Sequence, residues 1–517
     1  RWLSLKLMEA DELVWGEIAP YEKGLPVEKA LGHLGSAHDS DIESLLADAR
    51  YARAAGLTRE ILAKTEGEKI ELTEKIDRVV LHRFFGIPVF LVAMWLMFKL
   101  TFDISKPFAD WMSFLISGPF KSWAEALMAL AGARQWMTAL LTDGIIAGVG
   151  SVIVFVPVIF AMMFLITLLE GSGYMARAAF VMDRAMHAVG LHGKSFIPML
   201  LGFGCNVPGI YATRTLENPR DKALTALLIP LISCGARLPV YVIFIGAFFP
   251  GHGGTVLWSL YVMGIALAVL MGVIFKHTLF IHEAPMFIME LPPYRMPSLT
   301  SLTIHTWEKG KHFLIKAGTY ILAVSIIMWF LLNLPWGVEH KKDSYLGKAG
   351  RVISYALHPA GFGTWEAGSA LLSGIIAKEI VVGAMGEIYA VKASEEEKKS
   401  ATFEEEITQI AVSFGKAVKE AFGNIFSTFG TVAMSTEEKE ENKGLQPVLQ
   451  KTFTPLSAYS FIAFVLLYMP CVVVAVAMRH EFGTWKWFGV AFAYQMVLAW
   501  VVSVIIYQGG SLLGIGG

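Results

Sequence analysis

The sequence predicts an all-α polytopic membrane protein, built from broken and re-entrant helices in two inverted repeats and preceded by a small helical soluble domain. Three observations carry this. Apolar residues fill 55% of the 517 positions and charged residues only 17%. Mean hydropathy is +0.54, and a soluble fold with that surface would aggregate, so the bilayer is the expected partner. Charge is also concentrated at the start: residues 1–83 hold 28 of the 87 charged side chains. Finally, apolar segments broken by Gly and Pro recur in both halves of the remainder, the sign of a transporter made of inverted repeats. A net charge of −1 excludes a polybasic nucleic-acid binder, so no nucleic-acid partner is expected.

The elements follow in order. The chain opens on Arg1 with no signal peptide, as expected of a segment of a longer protein. Residues 1–80 read as a small helical bundle, with a solvated linker as the alternative. Asp39 and Asp41 place acids in the first turn of an amphipathic helix, and helical periodicity continues through Leu57–Val80. A polar helix around Glu66–Arg83 leads into the membrane domain, residues 81–517. Lys75, Arg78 and Arg83 flank the first span, which favours a cytoplasmic N-terminus. Uncharged runs occur at Phe84–Phe98, Gly144–Leu169, Leu238–Phe275 (two spans), Ala317–Val338, Thr452–Met478 and Trp487–Gly517. Together with the interrupted regions they predict about eight spans. The repeats fall at 145–250 and 315–480. The Glu- and Lys-rich stretch at 391–453 reads as an extramembrane insertion without a functional signal.

The interrupted regions carry the candidate chemistry. One holds Gly202-Phe203-Gly204-Cys205-Asn206-Val207-Pro208 and Ser233-Cys234-Gly235-Ala236-Arg237-Leu238-Pro239. A second, Trp365–Tyr389, places Lys378-Glu379 in the middle of an apolar helix, and a third is Leu466–Cys471. Non-helical backbone at membrane depth survives only where it lines a cavity or is buried in protein. Ionisable side chains there are functional candidates: Glu170, Arg177, Asp183, Arg184, Arg237, Lys378 and Glu379. The alternative for the first four is mutual neutralisation, such as Glu170 with Arg177 or Asp183 with a nearby arginine. Arg237 is expected to brace carbonyls of a broken helix. Glu379 lies among isoleucines and valines and needs a partner. Lys378 points about 100° away on a helix, so a bound cation is one answer.

Cys205, Cys234 and Cys471, the only cysteines, each lie near a helix breaker: Cys205 three residues before Pro208, Cys234 five before Pro239 and Cys471 directly after Pro470. An odd, sparse count is no disulfide framework. Thiolate, carbonyl and carboxylate together suit Fe2+, Zn2+ or Mn2+ rather than Mg2+ or Ca2+. Packing is the competing reading for the thiols. Ala188–Ser195 nearly matches a P-loop, but Ala188 replaces the first Gly and no strand precedes it.

The stretches Leu169–Arg184, Gly190–Ser195, Gly202–Pro208 and Ser233–Pro239 resemble the FeoB family of ferrous iron transporters, as do Glu290–Arg295, Ala377–Glu379, Leu466–Cys471 and Gly483–Trp487. The resemblance runs the whole chain in order. It implies two gate-type repeats around a polar pathway, and a spacer like a nucleotide-dissociation inhibitor at residues 1–80. It implies iron-contacting roles for Cys205, Cys234, Glu379 and Cys471, with Asn206 and Met469 as secondary candidates. It implies Fe2+ transport across a prokaryotic inner membrane, with small cytoplasmic accessory proteins as partners. GTP and Mg2+ would bind a G domain that has no counterpart in this sequence, so this chain is expected not to be an enzyme. The alternative is a gate-fold transporter of another divalent metal or of a small organic solute such as a nucleoside.

Overall fold

The computed structural model describes residues 6, 14, 42–61, 72–82, 84–279, 291–336, 341–388, 403–427 and 446–514. Every regular element among the described residues is helical. The chain divides into two compact units, Arg1–Lys75 and Ile76–Gly517. In the first, α1 spans Ile42–Ile61. Asp39, Asp41 and the rest of the expected bundle, apart from positions 6 and 14, lie outside the described residues. α2 (Leu72–Val80) carries Glu74 in its first turn and Arg78 in its last, matching the helix dipole. It ends at Val80, short of the expected Arg83; residues 66–71 and Arg83 itself lie outside the described residues.

The second unit begins with two long apolar helices, α3 (Gly86–Leu130) and α4 (Gln135–Gly171). Gly173, at φ 83°, turns the chain into α5 (Tyr174–Val189). Two short helices follow, α6 (Phe196–Gly204) and α7 (Asn206–Ala212), hinged at Cys205. They fold back on each other as a hairpin. A Cβ at Gly209 would lie 2.9 Å from the Pro198 carbonyl oxygen, an approach that requires glycine. Next comes a helix broken in mid-course, α8 (Pro219–Leu228) and α9 (Leu238–Phe248), and then the unbroken α10 (Gly253–Thr278).

The same succession then recurs. A long helix, α11 (Leu299–Asn333), precedes α12 (Tyr345–Leu357) and the short pair α13 (Trp365–Ser373) and α14 (Ile380–Ile388). α15 (Phe403–Ser427) and α16 (Gln446–Thr452) are inserted here. A second broken helix, α17 (Pro455–Leu467) and α18 (Val472–Phe482), leads to the unbroken α19 (Trp485–Leu512). Both broken helices start alike. Asn218 and Thr454 cap them through their side chains, and Pro219 and Pro455 occupy the first turn.

Six helices among the described residues are long and apolar enough to cross a bilayer: α3, α4, α8–α9, α10, α17–α18 and α19. Gly318–Asn333 in α11 is a shorter apolar stretch. The expectation was about eight; among the described residues the run at Ala317–Val338 contributes only that shorter stretch, and the interrupted regions supply half-length helices, α6–α7 and α13–α14, that are too short to cross. Burial sorts the six. Within the apolar windows, 67% of α8–α9 and 83% of α17–α18 is buried in protein, against 22–33% for the others. The broken helices therefore form the centre and the unbroken ones the lipid-facing wall. Aromatic rings join the two centres: Phe244 of α9 stacks on Phe461 of α17 at 4.8 Å and meets Phe453 edge-on at 5.4 Å.

The described residues of the insertion are helical. α15 lies along α3, where Trp123 Nε1 donates to Glu406 Oε2 at 2.6 Å and Trp111 Nε1 to the Ile410 carbonyl at 3.3 Å. Asn424 Nδ2 donates to the Asp103 carbonyl at 3.1 Å. Residues 391–402 and 428–445 of the expected insertion lie outside the described residues.

Candidate functional site

Four chain breaks lie at the centre, and each presents one of the predicted residues. Between α6 and α7 the break is Cys205, extended at φ −150°, ψ 127°. Pro208 has no N–H to offer the Gly204 carbonyl, which is why the helix stops there. Between α8 and α9 it is Cys234, at φ −94°, ψ 164°, ahead of a 3-10 turn at Gly235–Arg237. Between α17 and α18, Tyr468 is extended and Cys471, at φ −56°, ψ 157°, is also non-helical, and Pro470 leaves the Leu466 carbonyl without its helical donor. The fourth break, between α13 and α14, contains no proline. Residues 374–379 are turn and coil, so Lys378 and Glu379 stand in a break and not in mid-helix as the apolar pattern suggested.

Backbone packing draws these breaks together. A Cβ on Gly235 would lie 3.5 Å from the Gly204 carbonyl oxygen, so the Cys205 and Cys234 breaks are neighbours. The Val472 N–H donates to the Ile375 carbonyl at 2.8 Å, tying the Cys471 break to the Glu379 break. Cys205 is in electrostatic range of Cys234, Cys471 and Glu379. All three thiols are free and half-buried. The Val207 and Val474 amides face the sulfurs of Cys205 and Cys471.

The polar groups are unequally satisfied. Glu379 Oε2 and Asn206 Oδ1 are buried without a hydrogen-bond partner. A buried oxygen in that condition is costly unless something else meets it. The Met469 carbonyl, by contrast, accepts from Lys378 Nζ at 2.7 Å. Arg237 is fully buried and braces the break as expected, donating from Nη1 to the Ile232 carbonyl at 3.0 Å and from Nη2 to the Pro230 carbonyl at 2.9 Å. Among the described residues no three His, Cys, Asp or Glu side chains stand close enough to grip one metal ion together. The donors are gathered at one level without being closed into a coordination sphere.

Other predicted residues pair differently from expectation. Glu170 bonds Lys309 at 3.0 Å, not Arg177. Buried Arg177 forms a bidentate pair with Asp77 at 2.9 and 3.0 Å, and its guanidinium lies 4.1 Å from the Tyr294 ring centroid. Burial and the Asp77 charge push the Tyr294 phenol up to about 12. Asp183 accepts from the Gly193 N–H at 2.8 Å instead of pairing with an arginine, and Arg184 is exposed. Ala188–Ser195 is the end of α5 followed by a 3-10 turn, a geometry unlike a P-loop.

Sequence reasoning missed two features. Met162 of α4 packs its sulfur against Gly204, where a Cβ would fall 2.2 Å from Sδ, and nothing in the uniformly apolar α4 marks it. Glu481, at the end of α18, is only 2% exposed and binds Arg214 Nε at 2.5 Å and Lys222 Nζ at 3.0 Å. In the sequence it sits within Arg479-His480-Glu481, directly after the uncharged run that ends at Met478, and nothing local marks its distant partners.

These features define a polytopic membrane protein whose two broken helices and two short helix pairs bring their breaks together. Comparison with known families gives the same answer. A model described as nucleoside recognition matches residues 152–248 and 314–485. One described as ferrous iron transport protein B C terminus matches 257–309, and one described as FeoB cytosolic helical domain matches 1–63. Among curated relatives, the Fe(2+) transporter FeoB of Staphylococcus aureus strain COL is 41% identical, covering 88% of this chain and 62% of its own. The Fe(2+) transporter FeoB of Legionella pneumophila strain Lens is 37% identical over 99% and 68%. The Fe(2+) transport protein A/Fe(2+) transporter FeoB fusion protein of Porphyromonas gingivalis is 37% identical over 99% and 61%. This chain belongs to the FeoB family. It spans between 61% and 68% of the length of these relatives. No solved structure matches it.

Proposed function

We propose that this chain is the membrane part, with its helical spacer, of an Fe2+ uptake system in a prokaryotic inner membrane. The observation that carries the reading is the convergence of four helix breaks, each bearing one donor: Cys205, Cys234, Glu379 and Cys471. An ion crossing there would exchange water for thiolates, a carboxylate and freed carbonyls, with Asn206 and Met469 at the margin. The repeated succession of elements supports an inverted-repeat relation between residues 145–250 and 315–480, and access would switch as one repeat moves against the other. Lys75, Arg78 and Arg83 beside the first span favour a cytoplasmic N-terminus. There the spacer would join a G domain binding GTP and Mg2+, and hydrolysis would belong to that domain and not to this chain. The fusion in the Porphyromonas relative favours a small iron-transport protein as an accessory partner.

The nucleoside reading draws on the printed description of one matching family model. It is the weaker of the two, because three thiols are poor partners for a base or a ribose. Metal-soaked crystals test the proposal: anomalous density for iron near Cys205 is expected. Density for a nucleoside at the breaks, with no iron, would overturn it.

A further inference from the structure

Lys378 is a buried cation whose place in the fold is unusual. It is 2% exposed, yet no carboxylate lies within ion-pair distance of it among the described residues. Its Nζ donates to the Met469 carbonyl at 2.7 Å and sits 2.9 Å from the centroid of the Tyr468 ring. Glu379, the next residue in the chain, keeps Oε2 buried and unpartnered. Electrostatically, Lys378 is coupled to Cys234, Cys471, Glu379 and Arg237. Arg237 is held at two points, by the Ile232 and Pro230 carbonyls, with Nε left buried and unpartnered, so its guanidinium is fixed in place. Lys378 is different: a flexible four-carbon stem ends in an ammonium held by one carbonyl and one aromatic face. Both of those partners belong to the break that contains Cys471.

We propose that the Lys378 ammonium is a tethered competitor for the transported cation. It occupies the Met469 carbonyl at the break that carries Cys471, and an arriving divalent ion has to displace it. That displacement weakens binding of the ion and speeds its release. Lys378 would thus set affinity and turnover without being a ligand. The inference rests on the ion-transport reading above and concerns the same site.

The test uses the full-length protein in proteoliposomes, with Fe2+ uptake measured for the wild type, Lys378→Met and Lys378→Arg. Removing the charge is expected to lower KM for Fe2+ by about tenfold or more and to lower the maximal rate as well. Lys378→Arg keeps the charge and is expected to stay nearer the wild-type KM. A purely structural lysine predicts the opposite pattern: lost protein, with KM unchanged in what remains. A folded Lys378→Met protein with an unchanged or raised KM overturns the proposal. If Lys378→Met does not fold, Tyr468→Leu decides. It removes the aromatic face that pins the ammonium, so KM should fall there too, and an unchanged or raised KM overturns the proposal. Mn2+ binding to the same detergent-solubilised proteins, read as the rise in melting temperature with Mn2+, separates the two levels of argument. A wild type that moves no Fe2+ defeats the transport reading. The Mn2+ midpoints still judge Lys378: a lower midpoint in the variants upholds the competitor role, and an unchanged one overturns it.

Discussion

Glu481 allows a worked prediction, because one carboxylate holds two cations from the other half of the chain. Arg214 follows α7, Lys222 lies in α8, and Glu481 ends α18, so the cluster ties the outgoing ends of two half-helices that begin at Cys205 and Cys471. Glu481→Gln keeps the volume and removes the charge. Stranding a charge in a fully buried pair costs about 3–5 kcal/mol, whereas a surface pair is worth about 0–1 kcal/mol. Here the buried member, 2% exposed, is the one neutralised. The stranded cations, 48% and 29% exposed, can turn to water. The cost should fall between the two cases, about 1.5–3 kcal/mol. Unfolding by SDS titration in mixed micelles reads it. A double-mutant cycle with Arg214→Gln should give a coupling of about 1 kcal/mol or more. A Glu481→Gln protein as stable as the wild type, or a coupling under about 0.3 kcal/mol, would refute the idea that this carboxylate ties the halves together.

Other outcomes follow from the same structure. Cys205→Ser in the full-length protein should cut Fe2+ uptake by about tenfold or more, the largest loss among the three thiols, with little change in melting temperature; normal uptake would remove it from the pathway. Gly209→Ala forces a Cβ to 2.9 Å from the Pro198 carbonyl oxygen and should cost about 1–3 kcal/mol in the same SDS titration. The Tyr294 phenol, pushed up to about 12, should stay protonated through pH 10 in the spectrophotometric difference between wild type and Tyr294→Phe. A raised phenol value contributes stability that is present below its unfolded value and is lost as pH rises through about 12. Asp77→Asn removes one cause of the shift and should move that titration toward lower pH.

How far the sequence reached depends on what each signal measures. The two broken central helices and the α6–α7 hinge were legible because Pro and Gly act on the backbone itself: Pro208 at the hinge, and Pro230, Pro239 and Pro470 in the broken helices, each remove a donor wherever they fall. The number of spans was not, because an apolar run has the same composition whether it crosses or turns back. What distinguishes α6–α7 is the close approach of Gly209 to Pro198, a tertiary fact. The long-range pairs were invisible for the same reason. Arg177 lies seven residues from Glu170 in the chain, yet it meets Asp77, a hundred residues away. Local charge balance could not anticipate that choice.

The candidate site shows the same division, and with it a physical rule. In a bilayer a regular helix consumes its own carbonyls and points its side chains outward. Backbone carbonyls can join side-chain donors at a common point only where helices break, and the candidate residues here stand at such breaks. The thiols were readable because each lies beside a breaker. Glu379 was readable only by its cost, a carboxylate among isoleucines and valines. Its break has no proline and is completed by Val472 of another helix, which donates to the Ile375 carbonyl. The position of Lys378 follows from that hidden break. On a continuous helix the ammonium would point about 100° from Glu379, toward whatever lay there. With the helix opened at 374–379 it reaches Met469, and the lysine that the sequence already set apart from Glu379 lies at the break that carries Cys471.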